Sequence, residues 1–232
     1  MKTFADRVMQ FNRQLSFTGK LPEGIRIMNP FREDRQVLKL ASAFYHKYYG
    51  DHDRRYLILG INPGRFGGGV TGVPFTDPKR LVEKCGIHFH GTPTHEPSSV
   101  FIYEMIDAFG GPEAFYRKFY IHSLCPLGFT SQKPGGREVN YNYYDSRELQ
   151  DSVYDFIDDN MQKQIRLGVE TDTVFCFGTG RNEKFLRALN EEKKYFGKII
   201  ALEHPRFIMQ YRAKRKQEYI EKYLSAFHVV FS

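Results

Sequence analysis

An apolar run, Leu57-Ile58-Leu59-Gly60-Ile61, stops at Asn62-Pro63-Gly64, so a polar amide stands directly after a segment that reads as a buried parallel strand. In α/β folds that is where ligands bind, outside the carboxyl ends of the strands. Three more apolar runs end in the same way, at Ser123-Leu124-Cys125-Pro126, at Gly178-Thr179-Gly180 and at His204-Pro205. A common parallel sheet would gather an amide, an imidazole and several glycines into one cleft.

Other groupings offer different chemistry. Cys85, His88 and His90, with His95 beyond, supply metal-ligand types, yet their spacing is not that of a standard zinc site, and a solvated loop is the simpler reading. Gly67, Gly69 and Gly72 match a dinucleotide-binding spacing, but Pro74 and Pro78 follow where a helix should open. His122 beside Ser123 invites a base-and-nucleophile pair. Neighbours on a strand point to opposite faces, so His122 reads as a core histidine satisfied by backbone.

The positioning elements are legible from periodicity. Phe4, Val8, Phe11 and Leu15 before Gly19, and Val37, Ala41, Phe44, Tyr45 and Tyr48 before Gly50, recur at helical spacing, so two helices precede the first strand. Val100 to Phe109 predicts a helix closed by Gly110-Gly111-Pro112, and Phe119 to Leu124 a second strand. Asp145 and Glu148 have the spacing of a capping box, opening one long helix marked by Leu149, Val153, Phe156, Ile157, Met161 and Ile165. Thr173 to Phe177 and Lys198 to Leu202 are the third and fourth strands, separated by a helix with Phe185, Leu186 and Leu189 inward. Tyr219, Ile220, Tyr223 and Leu224 belong to a last helix. This alternation predicts an α/β fold, a three-layer α/β/α sandwich around a central four-stranded parallel sheet. A single domain over residues 1–232 is expected, with the helices of about the first 50 residues packed on the core.

Composition narrows the partners. With 34 Lys and Arg against 27 Asp and Glu, the formal charge of +7 favours polyanions such as nucleic acid. No stretch approaches the roughly 18 apolar residues of a membrane span, and the start is amphipathic rather than signal-like, which predicts a cytoplasmic protein, nucleoid-associated if bacterial. Three well-separated cysteines, Cys85, Cys125 and Cys176, argue against a disulfide framework or a four-cysteine iron–sulfur cluster.

Taken in order, Gly60-Ile61-Asn62-Pro63-Gly64, Thr71-Gly72-Val73-Pro74-Phe75, His122-Ser123-Leu124-Cys125-Pro126-Leu127 and His204-Pro205 resemble the uracil-DNA glycosylase superfamily, in particular a divergent, bacterial-type branch of its single-strand-selective monofunctional family. The resemblance runs from about Tyr56 to the C-terminal helix. It implies cleavage of an N-glycosidic bond, in which the sugar becomes oxocarbenium-like and the departing base carries negative charge. His204 would then stabilise the leaving anion as a neutral N–H donor, and Asn62 would hold the water without serving as a strong general base. Phe75 would stack on the flipped base, with Phe66 packed nearby, Gly64 leaving room beside the pyrimidine C5 and the Ile61 backbone meeting the base edge.

Two departures from the family pattern bear on substrate. Ser123 stands where the family carries an Asn that reads the pyrimidine edge, which predicts a roomier pocket that also takes deaminated purines such as xanthine. After His204-Pro205 the family's wedge is rebuilt as Arg206-Phe207-Ile208-Met209-Gln210-Tyr211-Arg212. Phe207, Ile208 or Met209 would fill the gap left by an extruded base, with Arg206 or Arg212 on phosphate. The loop Lys133-Pro134-Gly135-Gly136-Arg137 is expected to face DNA through Lys133, Gly136 and Arg137, and Gly178 to offer backbone N–H to a phosphate.

The expectation is therefore a monofunctional DNA glycosylase acting on single- or double-stranded DNA that contains a deaminated base. It would be a monomer needing no metal, no cofactor, no membrane and no obligatory protein partner. A non-catalytic reader of damaged or single-stranded DNA is the first rival. A metal-dependent hydrolase built on Cys85, His88, His90 and His95 is the second.

Overall fold

A computed structural model describes residues 1–133 and 135–231. The chain opens with α1 (Phe4–Gln14), β1 (Ile25–Met28), α2 (Pro30–Glu33), α3 (Arg35–Tyr48) and β2 (Arg55–Gly60). Short helices α4 (Gly68–Thr71) and α5 (Pro78–Glu83) lead to α6 (Pro97–Phe109), α7 (Pro112–Lys118), β3 (Phe119–Ser123), β4 (Gly128–Gln132) and β5 (Glu138–Tyr141). Then come α8 (Arg147–Ser152), α9 (Tyr154–Ile165), β6 (Val169–Phe177), α10 (Arg181–Lys193), β7 (Lys198–Leu202), α11 (Pro205–Tyr211) and α12 (Lys216–His228).

Four strands form the expected parallel sheet, in the order β3-β2-β6-β7. Adjacent side chains on a strand leave opposite faces, and β3 shows what each face meets. Phe119 packs on Phe227 of α12 at 4.7 Å between ring centroids, whereas Tyr120 packs on Phe4 of α1 at 5.3 Å and on Tyr45 of α3 at 6.3 Å. Helices thus cover both faces, which is why these strands read as continuous apolar runs. Among the described residues no helix is long and apolar enough to cross a membrane.

The structure departs from the sequence expectations in three places. First, β1 precedes β2 in the chain, and with β4 and β5 it makes a separate antiparallel sheet in the order β1-β4-β5. The central strand β4 ends in three consecutive polar residues, Thr130, Ser131 and Gln132, and β1 and β5 are only four residues each, too short for their alternation to stand out. The hairpin is closed by Lys133, whose N–H donates to Arg137 O at 2.8 Å, with Gly135 and Gly136 at φ of +85° and +78°; Pro134 lies outside the described residues. Second, the cap of α8 is Ser146, whose Oγ accepts from Leu149 N at 3.2 Å. Asp145 instead accepts from Asn142 N at 2.8 Å and turns the chain out of β5. The expected long helix is also interrupted at Val153, between α8 and α9. Third, the stretch expected to be a wedge begins as helix α11, with Pro205 at its first position and His204 as its cap.

Candidate active site

The carboxyl ends of β2 and β3, the loop before α5, the end of β5 and the start of α11 surround a cavity of about 310 Å³, within the roughly 300–1,000 Å³ range of ligand clefts. Asn62 and His204, 142 positions apart in the sequence, both line it. So do Ile61, Gly64, Phe75 and Ser123, and at its rim Arg206 and Phe207.

Asn62 is held from two directions by the chain leaving β5. Tyr143 N–H donates to its Oδ1 at 3.1 Å, and its Nδ2 donates to Tyr141 O at 3.2 Å. Because a backbone N–H can only donate, the amide orientation is fixed. The hairpin that the sequence hid is what locks the amide.

His204 has a defined tautomer. Its Nδ1 accepts the backbone N–H of Arg206 at 3.1 Å, so in the neutral ring the proton sits on Nε2. Burial, reinforced by the Arg206 guanidinium, lowers its pKa to about 4, keeping it neutral at physiological pH. The result is a preoriented N–H donor carrying no net charge.

Phe75 is the strained element of the site. Its φ of +54° is the left-handed region, rare for a bulky side chain and costing on the order of 1 kcal/mol or more. Thr71 holds the loop there: its fully buried hydroxyl donates to Thr76 O at 2.7 Å and accepts from Val73 N at 3.1 Å. The ring then packs edge-on against Phe177 at 5.7 Å and tilts against His204 at 5.5 Å. It also lies on Gly60, where a Cβ would come within 2.9 Å of Phe75 Cε2, so the strand must end in glycine.

Several expected site residues lie elsewhere. Phe66 is exposed, under the Arg65 guanidinium at 4.6 Å from its ring centroid, and does not line the cavity. Ile208 is fully buried and Met209 packs partly buried on the core, so of the three wedge candidates only Phe207 is exposed. Lys133, Gly136 and Arg137 form the exposed hairpin tip away from the cavity lining. Gly178 lines an adjoining hollow with Thr179, Gly180 and Arg181; that hollow shares Ile61, His204 and Phe207 with the main cavity. Cys85 is fully buried with its Sγ on Tyr103 Oη at 3.1 Å, while His88 and His90 are exposed and His95 pairs with Asp77. Among the described residues no group of three His, Cys, Asp or Glu can hold a metal ion.

The cavity also contains residues that sequence reasoning missed: Glu96, Asn140, Asn142, Tyr144, Gln210 and Tyr211. Asn140 and Asn142 follow the alternation of a strand exit and were in principle readable. Glu96 stands alone in a loop and carries no such signal. Its carboxyl is desolvated and faces the negative charge of Asp77, which together push its pKa up to about 7.

Comparison with known proteins agrees with this geometry. A family described as the uracil DNA glycosylase superfamily matches residues 46–228. A crystal structure of wild-type Pedobacter heparinus SMUG2 is 63% identical, covers 99% of both chains and superposes with a TM-score of 0.97. The single-strand selective monofunctional uracil DNA glycosylase of Bos taurus is 28% identical over 154 residues, 52% of this chain and 54% of the relative. That of Mus musculus is 31% identical over 117 residues, 41% of this chain and 39% of the relative. The matches therefore span about half or less of these mammalian relatives. The match over residues 46–228 covers the sheet, the cavity and both motif residues, and the chain belongs to the uracil DNA glycosylase superfamily.

Proposed function

We propose that this chain is a monofunctional DNA glycosylase that hydrolyses the N-glycosidic bond of uracil, and of other deaminated bases such as xanthine, in DNA. The observation that carries the reading is the pairing of a backbone-locked amide, Asn62, with a neutral N–H donor, His204, across one cavity beside the ring of Phe75. The names of the relatives, uracil DNA glycosylases, point the same way.

In this reading the extruded base stacks on Phe75, offsetting a flipping cost of a few kcal/mol. As the bond from C1′ to the base nitrogen breaks, charge develops on the base carbonyl, and the Nε2–H of His204 donates to it without reorganising. Asn62 keeps an acceptor lone pair beyond its bond from Tyr143 N, enough to orient the attacking water. Ser123 lines the pocket with a short hydroxyl in place of a longer amide, so an imide edge of two carbonyls flanking an N–H is accepted on either a pyrimidine or a purine. Arg206 and the Gly178-Thr179-Gly180-Arg181 turn are placed to meet backbone phosphate, the turn through N–H groups at the start of α10.

The test is base release from oligonucleotides carrying uracil, xanthine, hypoxanthine or thymine, as single strands and duplexes. Release of uracil and xanthine is expected, with the strand intact until alkali opens the abasic site. Tight binding of the uracil strand without base release would instead make the protein a damage reader, and strict uracil specificity would remove the purine half of the proposal.

A further inference from the structure

Glu96 is a carboxylate on the wall of the same cavity with no assigned work. It is the residue that caps α6, and its backbone is pinned there: its N–H donates to Asp77 Oδ2 at 2.9 Å, and its carbonyl accepts from Ser99 N at 2.9 Å. Its side chain makes no bond to the helix amides, the usual task of a capping side chain. It turns instead across two glycines of the loop that follows Asn62. A Cβ on Gly67 would lie 1.9 Å from Glu96 Oε2, and one on Gly64 would lie 3.4 Å from Oε1. The loop is cut away to seat this carboxylate, which finds no hydrogen-bond partner among the described residues.

We propose, resting on the glycosylase reading above, that Glu96 is the general base of the hydrolysis. The water oriented by Asn62 gives a proton to the Glu96 carboxylate as its oxygen bonds to C1′ of the deoxyribose. The bond from C1′ to the base nitrogen breaks, its electron pair leaves with the base, and His204 stabilises the resulting anion. An amide cannot accept that proton, so Asn62 alone leaves the water unactivated. A carboxylate from the loop before α6, 34 positions further along the chain, supplies the missing function from outside the motif.

The charges around Glu96 suit the task. Asp77, at the start of α5, faces it with like charge, itself paired with Arg80 at 3.3 Å and His95 at 3.5 Å; Arg206 of α11 faces it with opposite charge. Desolvation and Asp77 outweigh Arg206, and a pKa near 7 places the group where proton transfer is efficient at neutral pH. His204 is neutral across that range, so the rate should follow Glu96 alone and rise with pH as it ionises.

The experiment is single-turnover excision of uracil from a single-stranded oligonucleotide between pH 5.5 and 8.5, comparing wild type, Glu96→Gln and Gly67→Ala. Wild type should climb through about pH 7 and level off. Glu96→Gln should be flat and, at pH 8, about 100-fold slower, the scale of a lost general base. Gly67→Ala, which forces the carboxylate from its seat, should also be slow at pH 8. Folding is checked by melting. A raised native pKa means the unfolded chain binds fewer protons between about 4.5 and 7, so ionised Glu96 weakens the fold as pH rises through that window. Glu96→Gln should therefore melt no lower than wild type at pH 8. An unchanged rate and profile in Glu96→Gln, or a wild-type rate that falls as pH rises through 7, overturns the inference while leaving the glycosylase reading intact. Absence of base release by wild type, by contrast, removes both.

Discussion

The two ends of the parallel sheet treat charge in opposite ways. At the amino end of β2, Arg55 is fully buried, yet four of its five guanidinium N–H groups are used: it reaches both Asp51 carboxylate oxygens at 2.6 and 2.7 Å, Asp53 O at 2.6 Å and Tyr116 O at 3.3 Å. It also lies over the rings of Phe4 and Tyr49 at 5.3 and 5.4 Å. At the carboxyl end of the same strand, the Glu96 carboxylate has no hydrogen-bond partner among the described residues, Phe75 is held in a strained backbone state, and Phe207 and Tyr211 expose rings tilted against each other. One end spends its polar groups on the fold. The other withholds them, which is what a site that must bind and react requires.

The widest separation between the two ends is expected in activity. His204→Ala removes the preorganised donor and should lower single-turnover excision by about 10²–10³-fold, the range found when one such donor is lost, and Asn62→Ala should fall comparably. His204 also caps α11 and the Asn62 amide also ties the exit of β5, so urea unfolding should show a loss of about 1 kcal/mol in each, well short of the loss in activity. A His204→Ala protein that excises normally would show that the carboxyl end is not where the chemistry occurs. Asp51→Ala probes the other end. It leaves a buried guanidinium with only two backbone acceptors and should cost about 1–3 kcal/mol of stability by urea unfolding, short of a fully buried pair because the Asp51 carboxylate is half exposed. Excision per folded molecule should be preserved, and a selective loss of turnover without loss of stability would erase the contrast.

What was legible in the sequence divides along similar lines. Elements that bury apolar faces announced themselves, because a doubly covered strand such as Leu57-Ile58-Leu59 and a helix face such as Phe4, Val8 and Phe11 repeat with their own periods. Asn62 and His204 were readable because each ends such an element. The antiparallel sheet was not, since its central strand runs through Thr130, Ser131 and Gln132 with no apolar period. Yet that sheet delivers Tyr141 and Tyr143 to the Asn62 amide. Glu96 was invisible for a different reason: its seat depends on the absence of side chains at Gly64 and Gly67, a fit between distant segments that no local pattern encodes. Ile208 and Phe207 looked interchangeable as wedges until the helical phase of α11 turned one into the core and the other outward.

That helical phase yields the smallest expected effect. Phe207 is 40% exposed at the cavity rim, its ring 5.4 Å from Tyr211 and 5.5 Å from the Arg212 guanidinium. When a base leaves a duplex, the stack it quits must be refilled, and an apolar side chain at the rim can do this. A single strand has no such gap to fill. Phe207→Ser should therefore lower kcat/KM on a uracil duplex several-fold, at most about tenfold for one partly exposed ring, and leave the single-stranded substrate nearly unchanged. The informative quantity is the ratio of the two rates, because a general defect in folding or phosphate contact lowers both together. Equal losses on both substrates would make Phe207 part of the pocket rim for any extruded base rather than a wedge, and would move the carboxyl-end chemistry away from duplex opening.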